Sequence, residues 1–338
     1  MNTLICQEPF RFGFEERPDP MLLPGHAILR IRRIGICGTD LHAFEGTQPY
    51  FQYPRILGHE LAAEIAAIEA GQGFEEGETV SFLPYLNCGH CIACRRGKTN
   101  CCSHMQVMGV HVDGGMADYI QVPVDKLVKS RGLSLDELAL VEPLAIGAHA
   151  VRIAQVQPGD LVLVVGAGPI GMAAMEFAQL ADAEVIALDR NAGRLEHCRQ
   201  SGRASWFING AGQPILERLQ EISRGDMPVV VMDATGNLNA IEAGLSYLAH
   251  GGKYVLIGLQ KEAFSFSHPE FHKKETTLMS SRNATREDFE QVTGAIAGRQ
   301  VDALSLITHR VPFTELHQVF PSWLDPANGV LKAMVNKD

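Results

Sequence analysis

"LVLVVGAGPIG", residues 161–171, runs five apolar residues into three glycines and the start of another apolar stretch. A continuous apolar run of this length suits a strand buried on both faces. Gly166, Gly168 and Gly171 stand at the spacing needed for a tight turn, close backbone approach to a pyrophosphate, and close helix packing. Pro169 and Ile170 open the helix whose N-terminal amides would face the phosphates. Asp189 closes the next apolar run, "EVIALD", near the spacing expected of a ribose-binding acid. Its carboxylate would accept from an adenosine ribose and repel a 2′-phosphate, so NAD is expected rather than NADP. Arg190, beside it, speaks for the alternative.

Outward from this point, "PVVVMD" and "YVLIG" repeat the pattern, separated by stretches long enough for helices. The expectation is a doubly wound parallel sheet with crossover helices, the α/β class. The first 130 or so residues read differently. Short alternating segments such as "ILRIRRI" are punctuated by "PDP", "LPG" and "EEGE", which predicts a mostly β domain. From about Asp302 the chain returns to short segments such as "LITHRVPF", so the tail is expected to complete that first domain.

Composition narrows the function. At 338 residues, two domains are expected, and 46% apolar residues supply their cores. A formal charge of −10 would repel a phosphate backbone, so nucleic acid is not an expected partner. The N-terminal "MNTLICQEPF" lacks a basic head followed by an apolar stretch, so no signal peptide is expected. The run "LVLVVGAGPIGMAAM" falls short of the ~20 residues that span a bilayer. A cytoplasmic protein without a membrane helix is expected, and its eight cysteines then point to metal or catalysis rather than disulfides.

Five of those cysteines crowd into "CGHCIACRRGKTNCC", residues 88–102. Cys88, Cys91 and Cys94 stand at two-residue intervals, and a fourth thiolate from Cys101 or Cys102 would close a tetrahedral zinc site. Four sulfurs leave no open position, so such a site clips a loop and cannot activate a substrate. A second constellation is scattered: Cys37, Thr39 and His42 in "GICGTDLH", His59 and Glu60 in "GHE", and Glu142 in "VEPLAIGAHA". Each also has a structural reading, Cys37 as a buried thiol, His42 and His149 as satisfied histidines, and Glu142 as an acid favoured near a helix N-terminus.

The order "GICGTDLH", "GHE", "CGHCIACRRGKTNCC", "VEPLAIGAHA", "VVGAGPIG" and "DATG" resembles the zinc-dependent medium-chain alcohol dehydrogenases over essentially the whole chain, closest to their polyol branch, typified by sorbitol dehydrogenase. The resemblance implies a GroES-like catalytic domain with a structural zinc lobe over residues 1–143 and 284–338, and a Rossmann NAD-binding domain over 144–283. It places Cys37, His59 and Glu142 at catalytic-zinc positions, with Glu60 as an outer group or exchanging ligand, and selects Cys102 as the fourth structural ligand. Thr39 falls where the family carries the hydroxyl that takes the substrate proton, and His42 is a candidate for passing it outward. Arg194 and Thr235 join Gly166, Gly168, Pro169, Ile170, Gly171, Asp189 and Arg190 as cofactor candidates. Ala63 departs from the family, which usually has glycine three residues after the glutamate of "GHE".

"FHKKETTLMSSRNAT", residues 271–285, is similar to a segment of L-galactonate 5-dehydrogenase-like enzymes. His272, Lys273, Lys274 and Arg282 there offer positive charge to a carboxylate, and a bidentate arginine suits that role best. The implied activity is NAD-dependent, zinc-dependent oxidation of a secondary hydroxyl on a sugar acid or polyol by a homodimer or homotetramer. The alternatives are an L-threonine 3-dehydrogenase-like enzyme and a non-catalytic NAD(H)-binding zinc protein.

Overall fold

Alternation of apolar and polar residues in the N-terminal third produces an antiparallel sheet, and continuous apolar runs after Leu161 produce a parallel one. The computed structural model describes residues 1–49 and 51–337. It divides into two compact units, Met1–Glu142 with Thr285–Asp338, and Pro143–Ala284.

In the first unit a sheet runs in the order Leu127–Lys129, Thr79–Phe82, Glu60–Ile68, His26–Gly35, Lys332–Asn336, Ile307–Pro312, with Tyr119–Pro123 also paired to His26–Gly35. The C-terminal segment belongs here because Lys332–Asn336 pairs antiparallel with the end of His26–Gly35, Met334 opposite Gly35 and Val335 opposite Ile34. On its other side the same strand pairs with Glu60–Ile68, which sets Gly35 opposite Glu60. Two residues far apart in the chain, Glu60 and Lys332, therefore start strands on either side of one strand end. The core beneath is aliphatic, with an aromatic group in which Phe12, Phe44 and Phe320 pack ring on ring.

In the second unit six strands are parallel throughout: Leu161–Val165, Glu184–Asp189, Trp206–Asn209, Val230–Asp233, Lys253–Leu256 and Thr277–Ser280. Across the sheet they lie third, second, first, fourth, fifth, sixth. This is the Rossmann order, and its reversal between the first and fourth strands creates the crevice where such sheets bind dinucleotides. Among the described residues no helix is long and apolar enough to cross a membrane.

Candidate functional site

Helix Gly38–Phe44 begins at Cys37, and Asp40, its third residue, reaches back to accept from the Cys37 backbone N–H at 2.9 Å. The other Asp40 oxygen accepts from Gly58 N–H at 3.2 Å and lies 3.7 Å from His59 Nδ1. One buried carboxylate thus ties together the two loops that carry Cys37 and His59. Glu60 follows at the start of its strand, its carboxylate pressed against Gly35, where a Cβ would lie 2.3 Å from Glu60 Oε2. Donor atoms of Cys37, His59 and Glu60 all lie within 4.8 Å of one another.

The charges around this trio are unbalanced. Asp40, Glu60 and Glu142 are buried beside the Cys37 thiol, and Lys332 and His59 are the cations they meet. Burial, followed by the Glu60 charge, pushes Glu142 up to about 7. Burial likewise raises the Asp40 pKa. Burial alone would lower the His59 pKa, but Asp40, Cys37 and Glu142 hold it well above the ordinary imidazole range. A soft thiolate, an imidazole and a carboxylate in such a field fit a Zn²⁺ ion, which would relieve the excess of negative charge.

The trio differs from the set implied by resemblance in the part played by the two glutamates. Glu142, in the first turn of helix Val141–Ala154, lies beside the trio, where its Oε1 accepts from the Tyr85 hydroxyl. The Tyr85 pKa is raised well above the ordinary phenol value by burial and then by Glu142, so the hydroxyl remains a donor. Glu60 is the carboxylate within the trio, and Lys332 Nζ donates to both its oxygens at 2.6 Å. Thr39 is half-buried in the first turn of the Gly38–Phe44 helix. His42, on the same helix, is exposed, with Nδ1 3.1 Å from Thr47 Oγ1 and 3.5 Å from Glu45 Oε2.

Sequence reasoning missed Asp40, Tyr85 and Lys332. Asp40 had a legible signal, an acid three residues after a helix-starting residue, the capping-box spacing. Tyr85 and Lys332 had none, because their partners lie 57 and 272 positions away.

The cysteine-rich lobe gathers Cys88, Cys91, Cys94 and Cys102, with all four sulfurs within 4.8 Å. Cys101 is exposed and outside the group. Backbone N–H groups point at the sulfurs: Cys88 to Cys102 Sγ at 3.2 Å, Cys91 to Cys88 Sγ at 3.4 Å, and Cys94 to Cys91 Sγ at 3.5 Å. The Cys94 N–H draws Cys91 down to about 5, while desolvation pushes Cys94 up to about 11. Four thiols aimed at one point, with donors already directed at their sulfurs, fit a closed tetrahedral zinc.

In the second unit Gly166 takes φ +99°, which glycine alone adopts without strain, and helix Pro169–Leu180 starts directly after Gly168. A Cβ at Gly171 would lie 1.8 Å from the Gly166 carbonyl oxygen, whereas the nearest atom to one at Gly168 is Arg194 Nη1 at 3.9 Å. Gly171 is thus required by the turn itself, and the space over Gly168 is open for a ligand. Asp189 accepts from Ala167 N–H at 2.6 Å and Asn191 N–H at 2.7 Å, which fixes its carboxylate at the strand's carboxyl end. Arg190, Arg194 and Thr235 are exposed around this edge, Thr235 hydrogen-bonded to buried Asp233 at 2.9 Å. Arg282 is exposed just beyond strand Thr277–Ser280. Lys274 has structural partners instead: its ammonium donates to the Leu248 carbonyl at 2.8 Å and reaches that of Ser246 at 3.4 Å.

Comparison with known proteins agrees with both units. Residues 23–132 match the alcohol dehydrogenase GroES-like domain, and residues 169–298 match the zinc-binding dehydrogenase domain. L-galactonate-5-dehydrogenase of Escherichia coli K12 is 42% identical over 321 residues, 95% of this chain and 94% of that protein. Sorbitol dehydrogenase of Halalkalibacterium halodurans is 30% identical over 91% of each chain. The crystal structure of the alcohol dehydrogenase rspB from E. coli CFT073, complexed with NADH, superposes with a TM-score of 0.92 at 29% identity, over 100% of this chain and 99% of that one. With its GroES-like and Rossmann units, the chain belongs to the zinc-dependent medium-chain alcohol dehydrogenase family.

Proposed function

We propose that the protein oxidises a secondary hydroxyl of a sugar acid of the L-galactonate type, with NAD as the acceptor. The observation that carries this reading is the trio of half-buried Cys37 with buried His59 and Glu60, in a chain 42% identical to an L-galactonate-5-dehydrogenase. When bound, zinc supplies a Lewis acid that makes a hydroxyl easier to ionise, and NAD supplies the hydride acceptor.

The chain's own residues do the rest. Cys37, His59 and Glu60 hold the catalytic metal, with Glu142 as the neighbouring carboxylate able to exchange for Glu60. Asp40 orients the first two ligands, and Lys332 governs how freely Glu60 moves. Thr39 takes the hydroxyl proton, and His42, exposed on the same helix, passes it to solvent. Cys88, Cys91, Cys94 and Cys102 hold the second zinc as a structural clip. Gly166, Gly168, Pro169, Ile170 and Gly171 form the turn and helix start that receive the pyrophosphate, flanked by Arg194 and Thr235. Asp189 takes the adenosine ribose and selects NAD over NADP despite the neighbouring Arg190. Arg282, at the carboxyl edge of the sheet, is the candidate partner for the substrate carboxylate, an edge that binds ligands in sheets of this topology. Lys274 is the weaker candidate for that role, since its ammonium already donates to the Leu248 carbonyl.

The protein is inferred to act in the cytoplasm, supported by the gathering of Cys88, Cys91, Cys94 and Cys102 into one sulfur group, since a reducing compartment keeps thiols available to metals. A homodimer or homotetramer is inferred, supported by the outer edge of strand Thr277–Ser280 and the exposed Leu259 and Phe266. NADH formation by zinc-replete protein, measured across aldonates including L-galactonate, alditols and L-threonine, tests the substrate class. The highest kcat/KM is expected on an aldonate. Turnover confined to alditols or to L-threonine reassigns the substrate, and tight NADH binding without any turnover supports a non-catalytic binder.

A further inference from the structure

Cys88, His90 and His104 bring a second trio of donor atoms within 4.8 Å of one another, sharing one corner of the tetrathiolate group. Gly89, at φ +77°, reverses the backbone so that His90 Nδ1 lies 2.8 Å from the Cys88 carbonyl oxygen. Only a protonated Nδ1 makes that contact attractive, so the neutral ring carries its lone pair on Nε2. His104 is placed by the N–H groups that order the sulfurs, its own pointing at Cys102 Sγ at 3.3 Å, and its Nδ1 lies 3.1 Å from Ser103 Oγ. The two imidazoles stand 5.9 Å apart between centroids, tilted by 33°. Both are exposed and Cys88 is half-buried, so an ion reaches all three from solvent.

The electrostatics favour such an ion. Four thiolates around one dication leave two negative charges, which invite a second cation on the open side. Arg95, whose guanidinium donates to the His90 carbonyl, answers part of that charge from the solvent side. With metal–nitrogen bonds of 2.0–2.1 Å and a metal–sulfur bond of 2.3 Å, neighbouring donors on a tetrahedral ion sit about 3.5 Å apart. Small side-chain rotations close the gap from the observed spread. A thiolate retains lone pairs after binding one metal, and the mixed sulfur and imidazole set suits a borderline ion.

We propose that Cys88 is a bridging ligand: its thiolate serves the tetrathiolate zinc and, with His90 and His104, holds a further Zn²⁺ whose fourth position is left to water. This site rests on the tetrathiolate reading above. It is the solvent-facing and more weakly bound of the two, so its occupancy follows the zinc concentration.

Native mass spectrometry of the full-length protein, titrated with zinc near neutral pH, tests the proposal in wild type, H90Q/H104Q and C102S. The expected result is two tightly retained ions in wild type and in H90Q/H104Q, with a further, weaker ion in wild type. The affinity for that ion should fall by more than about tenfold in H90Q/H104Q, since even an outer partner of a metal ligand has an effect of that size. No further ion in wild type, or one bound equally by H90Q/H104Q, overturns the bridging site and leaves the tetrathiolate intact. A C102S protein that keeps both tightly held ions overturns the tetrathiolate reading and the bridging site with it.

Discussion

Lys332 Nζ lies 2.6 Å from both carboxylate oxygens of Glu60, a residue 272 positions earlier in the chain, and also donates to the Ile36 carbonyl at 3.1 Å. Both side chains are almost wholly buried, 3% and 1% exposed. Burial acts to lower the lysine's pKa, yet Glu60 and Cys37 raise it, so the ammonium stays charged. Removing one member of such a pair strands the other charge. Lys332→Met is therefore expected to cost about 3–5 kcal/mol of stability, read from denaturant unfolding, and Lys332→Met with Glu60→Gln should recover most of it. A double variant as unstable as the two single losses combined would mean that the residues do not act as a pair.

The cysteine lobe predicts a contrast between adjacent residues. Cys94→Ser should release one zinc ion per chain and lower the melting temperature, because a structural zinc site contributes directly to folding. Cys101→Ser, at an exposed thiol outside the sulfur group, should leave zinc content and melting unchanged. Zinc analysis with calorimetry checks both.

Gly168 and Gly171 separate ligand binding from folding. Gly171→Ala forces a Cβ to within 1.8 Å of a backbone carbonyl and should destabilise the second unit by at least the ~1–3 kcal/mol typical of overpacking. Gly168→Ala meets nothing closer than 3.9 Å, so melting should be unchanged while NADH affinity, measured by fluorescence titration, collapses.

Asp189→Gly removes the acid that accepts from Ala167 and Asn191 and is proposed to bind the ribose. The KM for NAD should rise roughly 10–100-fold, the equivalent of a charged hydrogen bond worth about 1.5–3 kcal/mol, and the preference over NADP should shrink. Equal losses for both cofactors would show that Asp189 supports the turn without reading the ribose.

Arg282→Ala should raise KM for an aldonate while leaving NADH affinity and alditol turnover unaltered, if the guanidinium faces the substrate carboxylate. An unchanged aldonate KM removes Arg282 from the site.

The fold was legible because its decisive signals are local. The run from Leu161 to Gly171 holds a strand, a turn and a helix start within eleven positions, and each needs its residue type for a steric reason visible in the sequence. The sulfur cluster was legible in the same way, with Cys88, Cys91 and Cys94 on one short loop; the choice between Cys101 and Cys102 is not local, and spacing alone left it open. The placement of Glu60 within the trio, with Glu142 beside it, was not legible. It depends on Gly35 giving Glu60 room, on Lys332 arriving from the C-terminal strand, and on Tyr85 engaging Glu142, all consequences of strand pairing between distant segments. The carbonyl partners of Lys274 were not legible, because nothing in a basic run distinguishes an ammonium that meets backbone carbonyls from one that meets a ligand.

Zinc content and turnover of His59→Ala, with the fold verified by near-ultraviolet circular dichroism, test most directly whether the Cys37, His59 and Glu60 trio holds the reactive metal. One zinc ion per chain should remain where wild type has two, and NADH formation should fall roughly a thousandfold, as the loss of several kcal/mol of Lewis-acid stabilisation implies. Two zinc ions retained, or turnover within a few-fold of wild type, would contradict the account.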